Sequence, residues 1–326
     1  MDSKMTNANQ TQSRGKKDYA YLVFTGAAMG AADVVPGVSG GTMAFILGVY
    51  EELIDTIKSF NIQFVRLLLQ FRIRDSLEHI NWKFILALGG GLGGAVLSLA
   101  RALSWLLDHH PVPLYAFFFG LVVASIVAVS SHVHWKPSMV ATLLAGSIGA
   151  YFLVGMVPLD MPHDPLTLFL SGAVAISAMI LPGISGSFIL LILGQYAFVL
   201  NAVKDFNVFA LAPAAAGMVV GIMAFSRLLS WLLKRYHQVT ITLLTGFMLG
   251  SLRRIYPFKE VLEWMENRHG EMVPIREMNI LPDFSSSTFW LSLGLAVAGF
   301  LLISLLDHAQ SRSNPFIRLL ARKPKD

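Results

Sequence analysis

The chain has 326 residues, 55% of them hydrophobic and only 14% charged, with a mean hydropathy of +0.61. A soluble domain carries about a quarter charged residues, and the net charge of +5 sits in short loops and at the two ends, so a nucleic-acid partner is excluded as the reason for it. There are no cysteines, which removes disulfides, thiolate catalysis and cysteine-ligated metals.

In chain order, residues 1–18 read as a basic, polar tail. Arg14, Lys16 and Lys17 ahead of an apolar run, with small residues over Ala27–Asp33, also fit a cleavable signal. The same pattern recurs near Ser171, and a repeated structural element is not cleaved off. Tyr19–Ile57 is an apolar region of nearly 40 residues, broken by Pro36-Gly37-Val38-Ser39-Gly40. Proline stops a helix and glycine permits the turn that follows. A basic loop with Lys58, Arg66, Arg72, Arg74 and Lys83 comes next. Crossings of about 20 residues are then expected at Phe84–Leu107, Pro113–Ser131 and Pro137–Val157. Leu166–Val203 is a second broken apolar region, interrupted by Pro182-Gly183-Ile184-Ser185-Gly186. Val208–Leu233, roughly Tyr236–Ile255, and Ser287–Leu306 follow as further crossings, with Arg253–Ser286 a polar loop too short for a domain.

The arms of each broken region run about 16–18 residues, ~24–27 Å at 1.5 Å per residue, slightly short of a full crossing. The turns carry no charge. A re-entrant hairpin is the expectation, with two full spans joined by a tight turn as the alternative. With both hairpins returning to their own side and the N-terminus inside, cytoplasmic segments hold 17 of the 25 Lys and Arg, as the positive-inside rule requires. The expected organisation is an all-α polytopic membrane protein with two inverted repeats, each one hairpin plus three crossings. Repeat one is 19–157 and repeat two 166–306, within a single transmembrane domain 19–306, and 307–326 forms a cytoplasmic tail.

The repeat is visible in identities. Gly26 matches Gly172, Pro36 Pro182, Gly37 Gly183, Ser39 Ser185 and Gly40 Gly186, and Leu47-Gly48-x-Tyr50 matches Leu193-Gly194-x-Tyr196. Phe60-Asn61 matches Phe206-Asn207, Arg101-x-x-Ser104-Trp105 matches Arg227-x-x-Ser230-Trp231, and Gly120 falls on Gly246. Three crossings per half is an odd number, so the second half starts on the opposite face. Inverted repeats with discontinuous helices are typical of secondary transporters, with the site near the midplane. Close helix packing is expected through Gly26-xxx-Gly30, Gly90-xxx-Gly94 and Gly217-xxx-Gly221.

Apart from Glu51, Glu52 and Asp55 at the end of the first broken region and Arg253 and Arg254 at a span end, Asp33, Arg101 and Arg227 are the only Asp, Glu, Lys or Arg residues inside the spans, where charge is costly and usually functional. The arginines occupy matched positions, and the guanidinium fork suits phosphate or carboxylate. The bland alternative is snorkelling to the interface. Ser39, Gly40, Gly41 and Thr42, and Ser185, Gly186 and Ser187, follow the hairpin hinges Pro36-Gly37 and Pro182-Gly183. A helix starting at either point would aim free N–H groups at an anion, with the serines as caps or ligands. Asp33 has no counterpart in the second half, where Met179 stands. It is a candidate for taking up a coupling H+ or Na+, or for pairing with an arginine. Glu51 and Glu52 are expected to be solvated. No metal-spaced histidines, Walker motif or nucleophile elbow appear, so no catalytic residue, metal or cofactor is expected.

Gly26 to Ala44, GAAMGAADVVPGVSGGTMA, closely resembles the opening motif of a bacterial membrane family, once of unknown function and associated with polyprenyl-phosphate transport (PopT type). The second Pro-Gly-Ile-Ser-Gly and the span pattern fit too, over roughly residues 19–306. The resemblance implies translocation of undecaprenyl phosphate from the outer to the inner leaflet of the bacterial cytoplasmic membrane, for cell-envelope synthesis. The expected partners are that lipid, the bilayer and a coupling H+ or Na+, with a homo-oligomer left open. The rivals are an undecaprenyl pyrophosphate phosphatase-like enzyme and an anion channel or exchanger. In the phosphatases the Pro-Gly-x-Ser motif continues Arg-Ser-Gly and is accompanied by a glutamate-rich motif, whereas glycine follows both Ser39 and Ser185 here.

Overall fold

The computed structural model describes residues 14–35, 38–156, 159, 161–266, 272–311, 314, 316 and 317. The hinge residues Pro36 and Gly37 lie outside the described residues. The first half runs α1 (Lys16–Val34), α2 (Gly40–Ile46), α3 (Tyr50–Ser59), α4 (Ile62–Leu69), α5 (Ile73–His79), α6 (Trp82–His109), α7 (Pro111–Ser130) and α8 (Pro137–Leu153). The second runs α9 (Pro165–Ile180), α10 (Gly186–Ile192), α11 (Tyr196–Lys204), α12 (Val208–Arg235), α13 (His237–Ile255), β1 (Lys259–Glu266), β2 (Met272–Asn279) and α14 (Ser287–Ser311).

The duplication in sequence reappears in backbone geometry. α2 and α10 are each seven residues long, and α6 and α12 are each 28. Gly48 and Gly194 end the short helices at φ of 71° and 67°, a left-handed setting that favours glycine. Single residues of near-identical conformation, His110 (φ −137°, ψ 51°) and Tyr236 (φ −131°, ψ 46°), separate α6 from α7 and α12 from α13.

Four helix pairs make the frame: α1 with α6, α9 with α12, α7 with α14, and α8 with α13. Exchanging the halves maps this set onto itself. Each pair is in backbone contact at glycine. A methyl on Gly26 would overlap the Leu88 carbonyl, and one on Gly30 the Leu92 carbonyl. Both partners advance by four residues, so α1 and α6 run parallel. Gly217 against Phe169 and Gly221 against Ala173 make α12 and α9 parallel in the same way. Gly246 against Leu143 and Gly250 against Ser147 do so for α13 and α8, and Gly120 meets Ala296 across α7 and α14. With no hydrophobic drive between helices in lipid, such close approach is what holds them together.

Three expectations change. Gly90 and Gly94 face open space, and it is Gly91 that packs, against Val23. A residue one position along a helix is rotated about 100°, so a one-residue shift moves the contact to another face. The inner arm of the second hairpin is not a straight helix, since α10 and α11 meet at 116°. Four of the six expected crossings, α6, α7, α12 and α14, are long and apolar enough, or up to five spans if the bent α10–α11 pair is counted. α8 stops at 17 residues, and α13 does not reach the apolarity, with Thr240, Thr242, Thr245 and Ser251 buried in its packing. The chain is mostly helical, consistent with the all-α membrane architecture expected, and one short hairpin is added, with β1 and β2 pairing antiparallel within the polar loop. Open strand edges are excluded from hydrocarbon but not from water.

Arg254 and Lys259 both hold Glu277 on β2, at 3.0 and 3.3 Å, tying the strands to the end of α13. Burial pushes the Lys259 ammonium down to about 8, with Glu277 opposing the shift. The Arg254 guanidinium also stands 5.0 Å over the Phe188 ring on α10.

Candidate functional site

The turns of the two broken regions touch. The buried Thr42 hydroxyl oxygen on α2 accepts the Gly183 N–H at 2.8 Å, across 141 residues of sequence. Gly41 sits so close to the Ile180 and Met179 carbonyls that a methyl there would lie 2.9 and 3.1 Å from them. Tyr50, at the start of α3, donates its hydroxyl to the Ile180 carbonyl at 3.0 Å. Gly183 has a φ of 88° and backs onto Ser251 and Met248 of α13, which is why Pro182 is followed by a residue without a side chain. Buried backbone groups must find partners, and here each turn finds some of them in the other.

The two short-helix starts differ. At α2 the Asp33 carboxylate accepts the Gly40 N–H at 2.7 Å, and the Ser39 hydroxyl oxygen accepts the Gly41 N–H at 3.1 Å. The first amides are thus taken by an internal anion and an internal cap, not left free as the sequence suggested. At α10 no side chain caps the start, and the Ser185 and Ser187 hydroxyls bond each other at 2.8 Å. Met179 replaces Asp33 there, so no carboxylate is offered. Ser187 is exposed, Ser185 half-buried and Gly186 buried. Asp33 is exposed and has no arginine partner among the described residues.

Among the described residues no hydrogen bond or ion pair joins Arg101 or Arg227 to the turns. Arg101 is exposed on α6, and Arg227 on α12 donates back to the Met223 carbonyl at 2.6 Å. Register nevertheless brings both to turn level. Arg101 lies nine residues past Leu92, about 13 Å along the axis, while α1 ends four residues past Gly30 and the turn follows. Arg227 lies six residues past Gly221, about 9 Å, and α9 ends seven residues past Ala173.

Sequence reasoning missed the contacts of α3. Glu51 is exposed, as expected, and meets His237 at 2.8 Å, whereas Glu52 is half-buried, pairs with Arg14 and accepts from Asn81 at 2.9 Å. Asp55 holds Lys234 at 2.9 Å and the Ser230 hydroxyl at 2.8 Å, and Lys58 donates to Ser230 at 3.1 Å. Ser230 lies in the repeated Arg-x-x-Ser-Trp motif, which was the available signal. Among the described residues no group of three His, Cys, Asp or Glu could hold a metal ion.

Residues 29–273 match a family described as undecaprenyl phosphate translocase-like. A protein named polyprenyl-phosphate transporter from Vibrio cholerae serotype O1 is 44% identical over 297 residues, covering 89% of this chain and 96% of that protein. A protein of the same name from Staphylococcus aureus is 29% identical over 255 residues, 72% of this chain and 85% of that protein. No solved structure matches.

Proposed function

The chain belongs to the undecaprenyl phosphate translocase-like family, and from that premise we propose that it carries undecaprenyl phosphate from the outer to the inner leaflet of the bacterial cytoplasmic membrane. It does so as a carrier, not an enzyme, with both termini in the cytoplasm and the two halves inverted. The observation that carries this reading is the contact of the two turns through Thr42 and Gly183, which gives one shared centre to two duplicated halves. Inversion is supported by direction. α1 runs parallel to α6, α8 to α13 and α9 to α12, and with the chain reversing between successive long helices this would point the first arms of the two hairpins opposite ways.

The phosphate is held at the vacant start of α10, by Ser185, Gly186 and Ser187 with Arg227, and in the exchanged conformation by Ser39, Gly40, Gly41 and Thr42 with Arg101. Asp33 on the Gly40 amide supports this assignment, because that N–H already donates to one oxyanion. Uptake of H+ or Na+ by Asp33 would neutralise the carboxylate on the Gly40 amide, weaken its competition with lipid phosphate there, and so couple the two. The conformation described is latched on the α3 side by Glu51–His237 and Asp55–Lys234. The sequence counterparts of Asp55 and Lys58 are Asn201 and Lys204 on α11, and those of Ser230 and Lys234 are Ser104 and Asp108 on α6.

The test is a leaflet-resolved assay of undecaprenyl phosphate in proteoliposomes, with the pyrophosphate lipid as control. Protein-dependent movement of the monophosphate between leaflets is expected. Release of inorganic phosphate from the pyrophosphate lipid without such movement would put the phosphatase reading in its place. In the same assay Arg227→Lys is expected to slow transport roughly tenfold while the protein stays folded, since one charge-assisted hydrogen bond of about 1.5 kcal/mol goes with the fork. A snorkelling arginine would tolerate lysine, and unchanged rates would mark it as one.

A further inference from the structure

The duplication is interrupted at one place. Phe60-Asn61 matches Phe206-Asn207, and the 28-residue helices then start at Trp82 in the first half and at Val208 in the second. Residues 62–81 are therefore an insertion that the repeated frame folds without. They form α4 and α5. α4 has no buried residue and packs against α5 instead of any long helix. One face is apolar and open to the surroundings, with Ile62 78%, Val65 49%, Leu68 40% and Leu69 76% exposed, and Phe71 follows at 88%. The adjoining face carries Gln63, Arg66 and Gln70. That face and the turn after it form a cleft of about 520 Å³ lined by Ile62, Gln63, Arg66, Leu67, Gln70 and Arg72.

Two facts say what covers this surface. Residues 62–81 hold Arg66, Arg72 and Arg74 against Asp75 and Glu78, with Lys58 and Lys83 flanking them, so the arm is cationic. Within the cleft, Arg66 has no ion-pair partner among the described residues, and Arg72 gives only its Nε to Asp75, at 2.7 Å, leaving its outer nitrogens available. An apolar face beside arginine forks and amides is the arrangement of a helix lying in the plane of an anionic membrane surface. It leaves two guanidinium groups at the depth of lipid phosphates.

We propose that residues 62–81 are an arm that docks on the anionic lipid surface beside the transporter. Ile62, Val65, Leu69 and Phe71 enter the leaflet, and Arg66 and Arg72 hold phospholipid phosphates in the cleft. The partner is the bulk anionic phospholipid of that leaflet. The arm would fix the first broken region, which ends immediately upstream at α3, at a set height in the bilayer.

The experiment uses the full cysteine-free chain with Leu69→Cys, labelled with an environment-sensitive fluorophore and reconstituted in phosphatidylcholine with or without one-third phosphatidylglycerol. The expected result is bluer emission and less acrylamide quenching when phosphatidylglycerol is present. Arg66→Gln and Arg72→Gln should remove that difference, each weakening docking roughly fivefold, the equivalent of about 1 kcal/mol per arginine at an anionic surface. Equal emission and quenching in the two lipids, or a water-exposed probe in both, overturns the proposal. A response to a few per cent undecaprenyl phosphate but not to phosphatidylglycerol overturns it as well, and makes the cleft a substrate site. The probe does not read transport, so failure here is distinguishable from failure of the leaflet assay run on the same vesicles.

Discussion

Gly26→Leu and Gly217→Leu are expected to abolish recovery of folded protein, whereas Gly90→Leu and Gly94→Leu are expected to be nearly silent. At Gly26 and Gly217 a first side-chain carbon would overlap a backbone carbonyl of the partner helix, Leu88 or Phe169. Backbone cannot swing aside as a flexible side chain can. Extra methylenes in a packed core already cost about 1–3 kcal/mol each, against a total stability of roughly 5–15 kcal/mol. A leucine wedge here therefore removes most of the margin. At Gly90 and Gly94 nothing stands within 4 Å. Size-exclusion profiles and melting temperatures in detergent compare the four variants directly. Wild-type melting of Gly26→Leu would mean that α1 and α6 are not in backbone contact.

Asp33→Asn is expected to abolish the response of transport to an imposed pH or sodium gradient while leaving the protein folded. Asparagine retains an oxygen to accept the Gly40 N–H, so the cap on α2 survives and only the charge is lost. Asp33→Ala removes both, and the lost cap adds about 1 kcal/mol of destabilisation. The coupling argument is electrical. Carrying an anion inward against an inside-negative potential costs about 2.3 kcal/mol per charge per 100 mV, and a co-transported cation offsets it. Proteoliposomes with clamped gradients distinguish the roles. If Asp33→Asn still follows the gradient and Asp33→Ala loses only stability, Asp33 is a helix cap and nothing more.

The sequence by itself determined the solvent of this protein, its duplication and its breakpoints. Low charge and long apolar runs declare lipid wherever they occur, and identities at constant spacing reveal two copies without any coordinates. The matched breaks at Gly48 and Gly194 follow from the same signal, because a left-handed residue is a local demand that glycine answers locally. What sequence could not decide was rotation and partnership. Whether Gly90 or Gly91 meets α1 depends on the turn of a helix about its own axis, which period alone leaves open when four of five neighbouring positions are glycine. That Asp33 would cap α2, not pair with an arginine, depends on the path of the chain between Val34 and Ser39. Only packing of the two halves placed Thr42 beside Gly183, because a hydrogen bond spanning 141 residues has no local cause. Its cause is the buried amide at a glycine turn, which must find an acceptor and finds it on the other half of the molecule.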